Sequence, residues 1–104
     1  MSIEYADYEL ITNIRKMNPN GDSCAILGDC KYHYPGTKEE FIRTTGFNNI
    51  DTFDINGNPT HKINLNEEVP EDFYNKYDWV IDSGTLYCCF DVATVFKNIK
   101  KMAL

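Results

Sequence analysis

Apolar residues in the first part of the chain recur every three or four positions, at Ile3, Ala6, Leu10, Ile14 and Met17, with Ile11 alongside. That period predicts an amphipathic helix over residues 2–17, capped by Ser2 and packed on one face. Asn18-Pro19-Asn20-Gly21 then stops it with turn chemistry. The short apolar run Cys24-Ala25-Ile26-Leu27 enters Gly28-Asp29, the pattern of a buried strand ending in a turn. After an aromatic loop from Tyr32 to Gly36, Thr37 and Glu40 have the spacing of a capping box. They open a short helix through Phe41 and Ile42, and Gly46 is placed to close it.

A second strand is predicted over Asn49–Ile55, with Asn56-Gly57-Asn58-Pro59 as a strong turn after it. His61 to Leu65 reads as a third strand with Ile63 and Leu65 on one face. Glu67 to Lys76 is acidic and loop-like, with one helical turn after Pro70. Trp79-Val80-Ile81 is a further buried strand, and Asp91 caps a final helix burying Val92, Val95, Phe96, Ile99 and Met102. This order predicts one α/β domain over residues 1–104, a three-layer Rossmann-like, mostly parallel sheet of about four strands with helices on both faces. Right-handed crossovers place the strand ending at Gly28 beside the one ending at Asp82. Their carboxyl ends then flank a crevice of the kind in which open α/β sheets bind ligands.

Composition changes this picture little. The chain is 42% hydrophobic and 25% charged, ordinary for a globular domain. No apolar run approaches the ~20 residues that span a bilayer, so no membrane association is expected. The acidic, charge-broken start MSIEYADYEL is unlike a secretory signal or transit peptide, and the expected location is the cytoplasm. A net charge of −6 argues against nucleic acid as a partner. Lys97, Lys100 and Lys101 do cluster, but at the end of a predicted helix, where the macrodipole favours cations.

Cys24, Cys30, Cys88 and Cys89 form no C-x-x-C pair and are expected as reduced thiols. Cys30 and His33 make a C-x-x-H that a thiolate from Cys88 or Cys89 would complete as a zinc site. The plainer reading, cysteine as a small apolar residue, is preferred, and no metal is expected.

The segment from Phe53 to Met102, with YDWVIDSGTL running into FDVATVFKNI, resembles the middle of class I S-adenosylmethionine-dependent methyltransferases. The resemblance extends over roughly Cys24 to Met102. It implies S-adenosylmethionine as cofactor, with Gly28 and Asp29 in the first-strand turn beside its methionine part. Asp54 would accept hydrogen bonds from the ribose hydroxyls, and Asn64 and Leu65 would lie near the adenine. Asp82, Ser83, Gly84 and Thr85 would form the turn facing the substrate.

This chain departs from the family pattern in three places. The glycine-rich G-x-G turn is reduced to Gly28-Asp29-Cys30, the Glu-His pair after Leu86 is Tyr87-Cys88, and the family's later strands do not follow Met102. The expectation is therefore a truncated member, self-associating through its uncovered sheet edge or C-terminal helix.

Two functions of different class follow. One is a binder of S-adenosylmethionine or a related nucleoside, methyltransferase-like if active. The other is a non-catalytic, small acidic interaction protein with a protein partner, such as a phage-type inhibitor of a host defence complex. For Asp54 and Asp82 the competing structural role is to cap a turn through the side chain.

Overall fold

Alternation along a single strand sets the layering. In Cys24-Ala25-Ile26-Leu27 successive side chains point to opposite faces, and all are buried, so both faces of the sheet must be covered. The computed structural model describes residues 2–29, 31–82 and 91–104. In chain order these form β1 (Ser2–Ile3), α1 (Tyr5–Met17), β2 (Ser23–Leu27), β3 (Lys31–Tyr32) and α2 (Lys38–Thr45). Then come β4 (Asn49–Asp54), β5 (His61–Lys62), a 3-10 turn at Glu71–Phe73, β6 (Trp79–Asp82) and α3 (Val92–Met102).

The main sheet has four strands in the order β5-β4-β2-β6, every neighbouring pair parallel. On one face Cys24 and Ile26 meet Ile11 of α1 and Phe41 of α2, with Ile3, Phe47 and Ile50. On the other, Ala25 and Leu27 meet Val95 and Met102 of α3, with Phe53, Leu65, Val69 and Tyr77. The fold is thus the expected α/β, Rossmann-like three-layer sheet. Phe41, Phe47 and Phe53 are fully buried, each adding on the order of 2–3 kcal/mol by transfer from water.

Several local expectations change. Ser2 does not cap α1, because Ser2–Ile3 is a strand paired in parallel with Lys31–Tyr32. The helix starts after Glu4, whose N–H donates to the Asp7 carboxylate at 3.1 Å. The predicted apolar stripe also faces the wrong way. Leu10, Ile14 and Met17 are 60%, 38% and 79% exposed, whereas Ile11 and Arg15 are buried and Tyr8 packs beside them.

Arg15 explains the rotation. Its Nε donates to the Thr45 carbonyl at 2.8 Å, and one terminal nitrogen donates to the Asn20 carbonyl at 2.9 Å. Its guanidinium lies 4.6 Å from the centre of the Phe47 ring and 5.9 Å from that of Trp79. The cation thereby ties the ends of α1 and α2 to the sheet, a role that polar-out patterning does not anticipate.

The helix ends follow local chemistry more closely. Thr37 Oγ1 accepts from the Glu40 N–H at 3.1 Å, although Glu40 itself pairs with Arg43 at 2.6 Å rather than reaching back to complete a box. Asp91 caps α3 by accepting from the Thr94 N–H at 3.0 Å. Of the predicted buried residues on α3, Val95 and Met102 are fully enclosed and Ile99 is half-buried. Val92 and Phe96 are exposed, and Asn98 takes a fully buried place instead.

The third strand is shorter than its sequence pattern. It ends at Lys62, and Ile63 and Leu65 reach the second core from the segment beyond it. Parallel pairing over so brief a connection works because His61 and Lys62 match only the last two residues of β4, Phe53 and Asp54. The chain loops once at the strand tip instead of returning along its whole length.

Beyond β6, Ala103 forms a single parallel bridge with Tyr77, and the Leu104 N–H donates to the Tyr77 carbonyl at 2.8 Å. No helix among the described residues is long and apolar enough to cross a membrane.

Candidate functional site

Register places three strand tips at one level. Leu27 is paired with Phe53 on one side and with Asp82 on the other, and Gly28 and Asp54 follow one residue further along the carboxyl edge. The strand order runs outward in both directions from β2. The gap between β2 and β6 is therefore the point where successive crossovers diverge and where open α/β sheets leave a crevice. The predicted neighbourhood of positions 28 and 82 is present.

Gly28 is buried, at φ 107°, a conformation that a residue with a Cβ rarely adopts. Its N–H donates to the Phe53 carbonyl at 2.7 Å. That turn sends Asp29 sideways over the end of β4, where its N–H donates to Asp54 Oδ2 at 2.9 Å. The other oxygen of Asp54 accepts from the Asn56 N–H at 3.0 Å. Asp29 in turn accepts from the Asn58 N–H at 2.6 Å. Gly57 lies at φ 74°, and a Cβ there would come within 2.5 Å of the Asp29 carboxylate. The turn after β2 and the loop after β4 are thus locked together through two carboxylates.

Asp54 consequently fills the turn-capping role that competed with ligand binding, and each of its oxygens keeps one further acceptor position. Asp82 is half-buried at the tip of β6. Ser83 and Gly84, with Thr85, lie outside the described residues, as do Cys30, Cys88 and Cys89 of the zinc reading. Among the described residues no group of three or more His, Cys, Asp or Glu could hold a metal ion.

Asn64 and Leu65 stand apart from the tips. Asn64 Oδ1 accepts from the Asn66 N–H at 3.0 Å in a local turn, while the Leu65 side chain is buried in the core beneath α3. Leu65 is held by Asn98, whose amide group donates to the carbonyls of Leu65 and Glu67 at 3.1 and 2.8 Å and accepts from the Val69 N–H at 3.0 Å. Asn98 went unnoticed in the sequence. Its position three residues after Val95 and four before Met102, on the buried stripe of α3, was the available signal.

A second polar cluster was also missed. The hydroxyl of fully buried Tyr77 donates to Asp51 Oδ2 at 2.5 Å, and His61 Nε2 lies 3.5 Å from the same oxygen. Burial first, and the Asp51 carboxylate second, push the Tyr77 hydroxyl well above the ordinary phenol range. The His61 ring sits between Phe53 and Phe73, with centroids at 5.0 and 4.8 Å. This cluster bridges β4, β5 and the entry to β6 beneath the sheet, whereas the crevice opens at the strand tips.

The carboxyl edge of the sheet carries Asp29 and Asp54 at the β4 side and Asp82 at the tip of β6. Carboxylates accept hydrogen bonds and repel anions, so such a mouth suits a ligand bearing hydroxyl groups or positive charge and disfavours a phosphate. Comparison with protein-family models, curated proteins and solved structures finds no match for the chain.

Proposed function

We propose that the crevice between β2 and β6 binds S-adenosylmethionine or a related nucleoside, and that the protein is methyltransferase-like. The observation that carries this reading is the pairing of Leu27 with Asp82, which sets the two divergent strand tips side by side. The cofactor's chemistry agrees with the mouth. Its sulfonium and ammonium are cations at an edge that carries three carboxylates, and its ribose diol offers two donors that Asp54's remaining acceptor positions can take. Methyl transfer asks chiefly for positioning and an in-line approach, so the chain need not supply a strong acid or base. A cytoplasmic setting and self-association along β6 or α3 accompany this reading.

A second reading has its own support. The bonds from Asp29 and Asn56 to Asp54 are those of a scaffold joint, and Leu10, Met17 and Phe96 expose apolar surface. Both features suit a non-catalytic interaction protein with a protein partner.

Calorimetry with S-adenosylmethionine and its demethylated product separates the two. Saturable binding that weakens at least tenfold in Asp54→Asn supports the first reading, while no heat at millimolar ligand overturns it. Light scattering on the same samples tests self-association, which a mass near the 12.0 kDa of one chain would reject.

A further inference from the structure

At the end of the sheet opposite the carboxylate mouth the charge reverses. A cavity of about 390 Å³, lined by Tyr74, Asn75, Lys97, Lys100 and Lys101, opens between the segment entering β6 and the last turns of α3. Its volume falls in the range of small-molecule pockets, roughly 300–1,000 Å³. The lysine stems and the Tyr74 ring form its walls, leaving ammonium groups to supply polarity.

The ordinary explanation for cations here is compensation of the exposed carbonyls at a helix end. Three of the last four carbonyls of α3 already have backbone donors. Lys101 O accepts from the Asn75 N–H at 2.7 Å, Met102 O accepts from the Lys76 and Tyr77 N–H groups at 3.0 Å each, and Ile99 O accepts from Ala103 at 3.1 Å. Capping therefore accounts for few of the three lysines.

Nearby carboxylates offset them only in part. Glu68 pairs with Lys101 alone, at 3.2 Å. Asp91 at the start of α3 is held by the Thr94 N–H and hydroxyl at 3.0 and 2.7 Å and attracts Lys97 only through space, so the lining, with three lysines and no carboxylate, keeps an excess of positive charge. The Lys101 ammonium also lies 5.3 Å from the centre of the Tyr74 ring, which fixes that ring as a pocket wall. The result is a net-positive, aromatic-walled pocket on a chain of net charge −6.

The geometry points to a binding site for a small phosphomonoester, with the phosphate held by Lys97 and Lys100 and the organic body lying against Tyr74. A phosphate dianion offers three acceptor oxygens to two ammonium groups, a match that a single carboxylate lacks. The site is independent of the crevice at the strand tips and takes ligands of the opposite charge.

The test is a residue-resolved amide NMR titration of the full chain with inorganic phosphate, ribose 5-phosphate and uridine 5′-monophosphate. The uracil base keeps the last probe distinct from an adenosine ligand of the crevice. Saturable shifts are expected at Tyr74, Asn75, Lys97 and Lys100, with the nucleotide bound roughly fivefold or more tightly than phosphate if its base stacks on Tyr74. Ribose 5-phosphate in place of the nucleotide as the tightest ligand would assign the organic body to the sugar.

Lys97→Ala with Lys100→Ala removes two exposed ammonium groups and should weaken every phosphorylated probe about tenfold or more. Tyr74→Leu should erase the preference for an organic body while phosphate still binds, and if that variant does not fold, the lysine pair decides alone. Non-saturating shifts spread over all lysines, equal displacement by sulfate at matched ionic strength, or saturation at Gly28 and Asp82 would each overturn the proposal.

Discussion

Replacing Asp54 by Ala should destabilise the protein whether or not any ligand binds. The carboxylate accepts the half-buried Asp29 N–H at 2.9 Å and the exposed Asn56 N–H at 3.0 Å. A hydrogen bond to a charged acceptor contributes roughly 1.5–3 kcal/mol where water cannot replace it, and about 0.5 kcal/mol where it can. Summed over one partner of each kind, the cost is about 2–3.5 kcal/mol. Relief of repulsion between Asp54 and Asp29 returns only a few tenths of a kcal/mol near the surface, since such exposed charge interactions are weak. Asp54→Asn keeps one acceptor oxygen and should lose about half as much by the same reckoning.

Urea unfolding at neutral pH is the assay. With a slope of roughly 1–3 kcal/mol per molar for a chain of this size, the Ala variant's midpoint should fall by about 1 M at constant slope. The melting temperature should drop by roughly 10 °C. An unchanged midpoint in the Ala variant would refute the reasoning, because a carboxylate reserved for a ligand would leave the ligand-free protein unaffected. An Asn variant as damaged as the Ala one would refute the assignment of one bond to each oxygen.

Two further outcomes are expected. Tyr77→Phe leaves the half-buried Asp51 carboxylate without its closest donor and should cost about 2 kcal/mol, read by the same unfolding curves. Because the folded-state pKa of Tyr77 is raised above the unfolded value of about 10, its contribution is complete below pH ~10 and lost as pH rises beyond it. The wild-type protein should therefore weaken in alkali more steeply than the Phe variant. Gly57→Ala places a Cβ 2.5 Å from the Asp29 carboxylate at φ 74° and should cost about 1–2 kcal/mol. Hydrogen exchange at Asn58 should accelerate in that variant, and an unaltered rate would show that the loop does not depend on Asp29.

The layers were readable because they depend on period and end chemistry. The run Cys24–Leu27, the Thr37 and Asp91 caps and the glycine after α2 carry their structural instruction within a few residues. What was not readable depends on partners distant in the chain. Arg15 is buried because Thr45, thirty residues on, offers it a carbonyl, and nothing near position 15 announces this. The two-residue pairing of β1 with β3 has no period to detect. At the candidate site, the row of tips followed from crossover handedness alone. The engagement of Asp54 by Asp29 and Asn56 did not, since an acidic residue at a strand end looks the same whether it awaits a ribose or holds a turn.

The setting of Arg15 has a consequence for how the layers come apart. Its direct contacts are peptide oxygens and ring faces, none of which gains or loses a proton in the working range of proteins. Added electrolyte, which readily shields the exposed Glu40–Arg43 couple, has little hold on a guanidinium enclosed this way. The joint of α1 and α2 against the sheet therefore resists brine better than a surface ion pair does, feels acid only through the Asp78 carboxylate that the guanidinium attracts, and yields to whatever disrupts the aromatic packing around it.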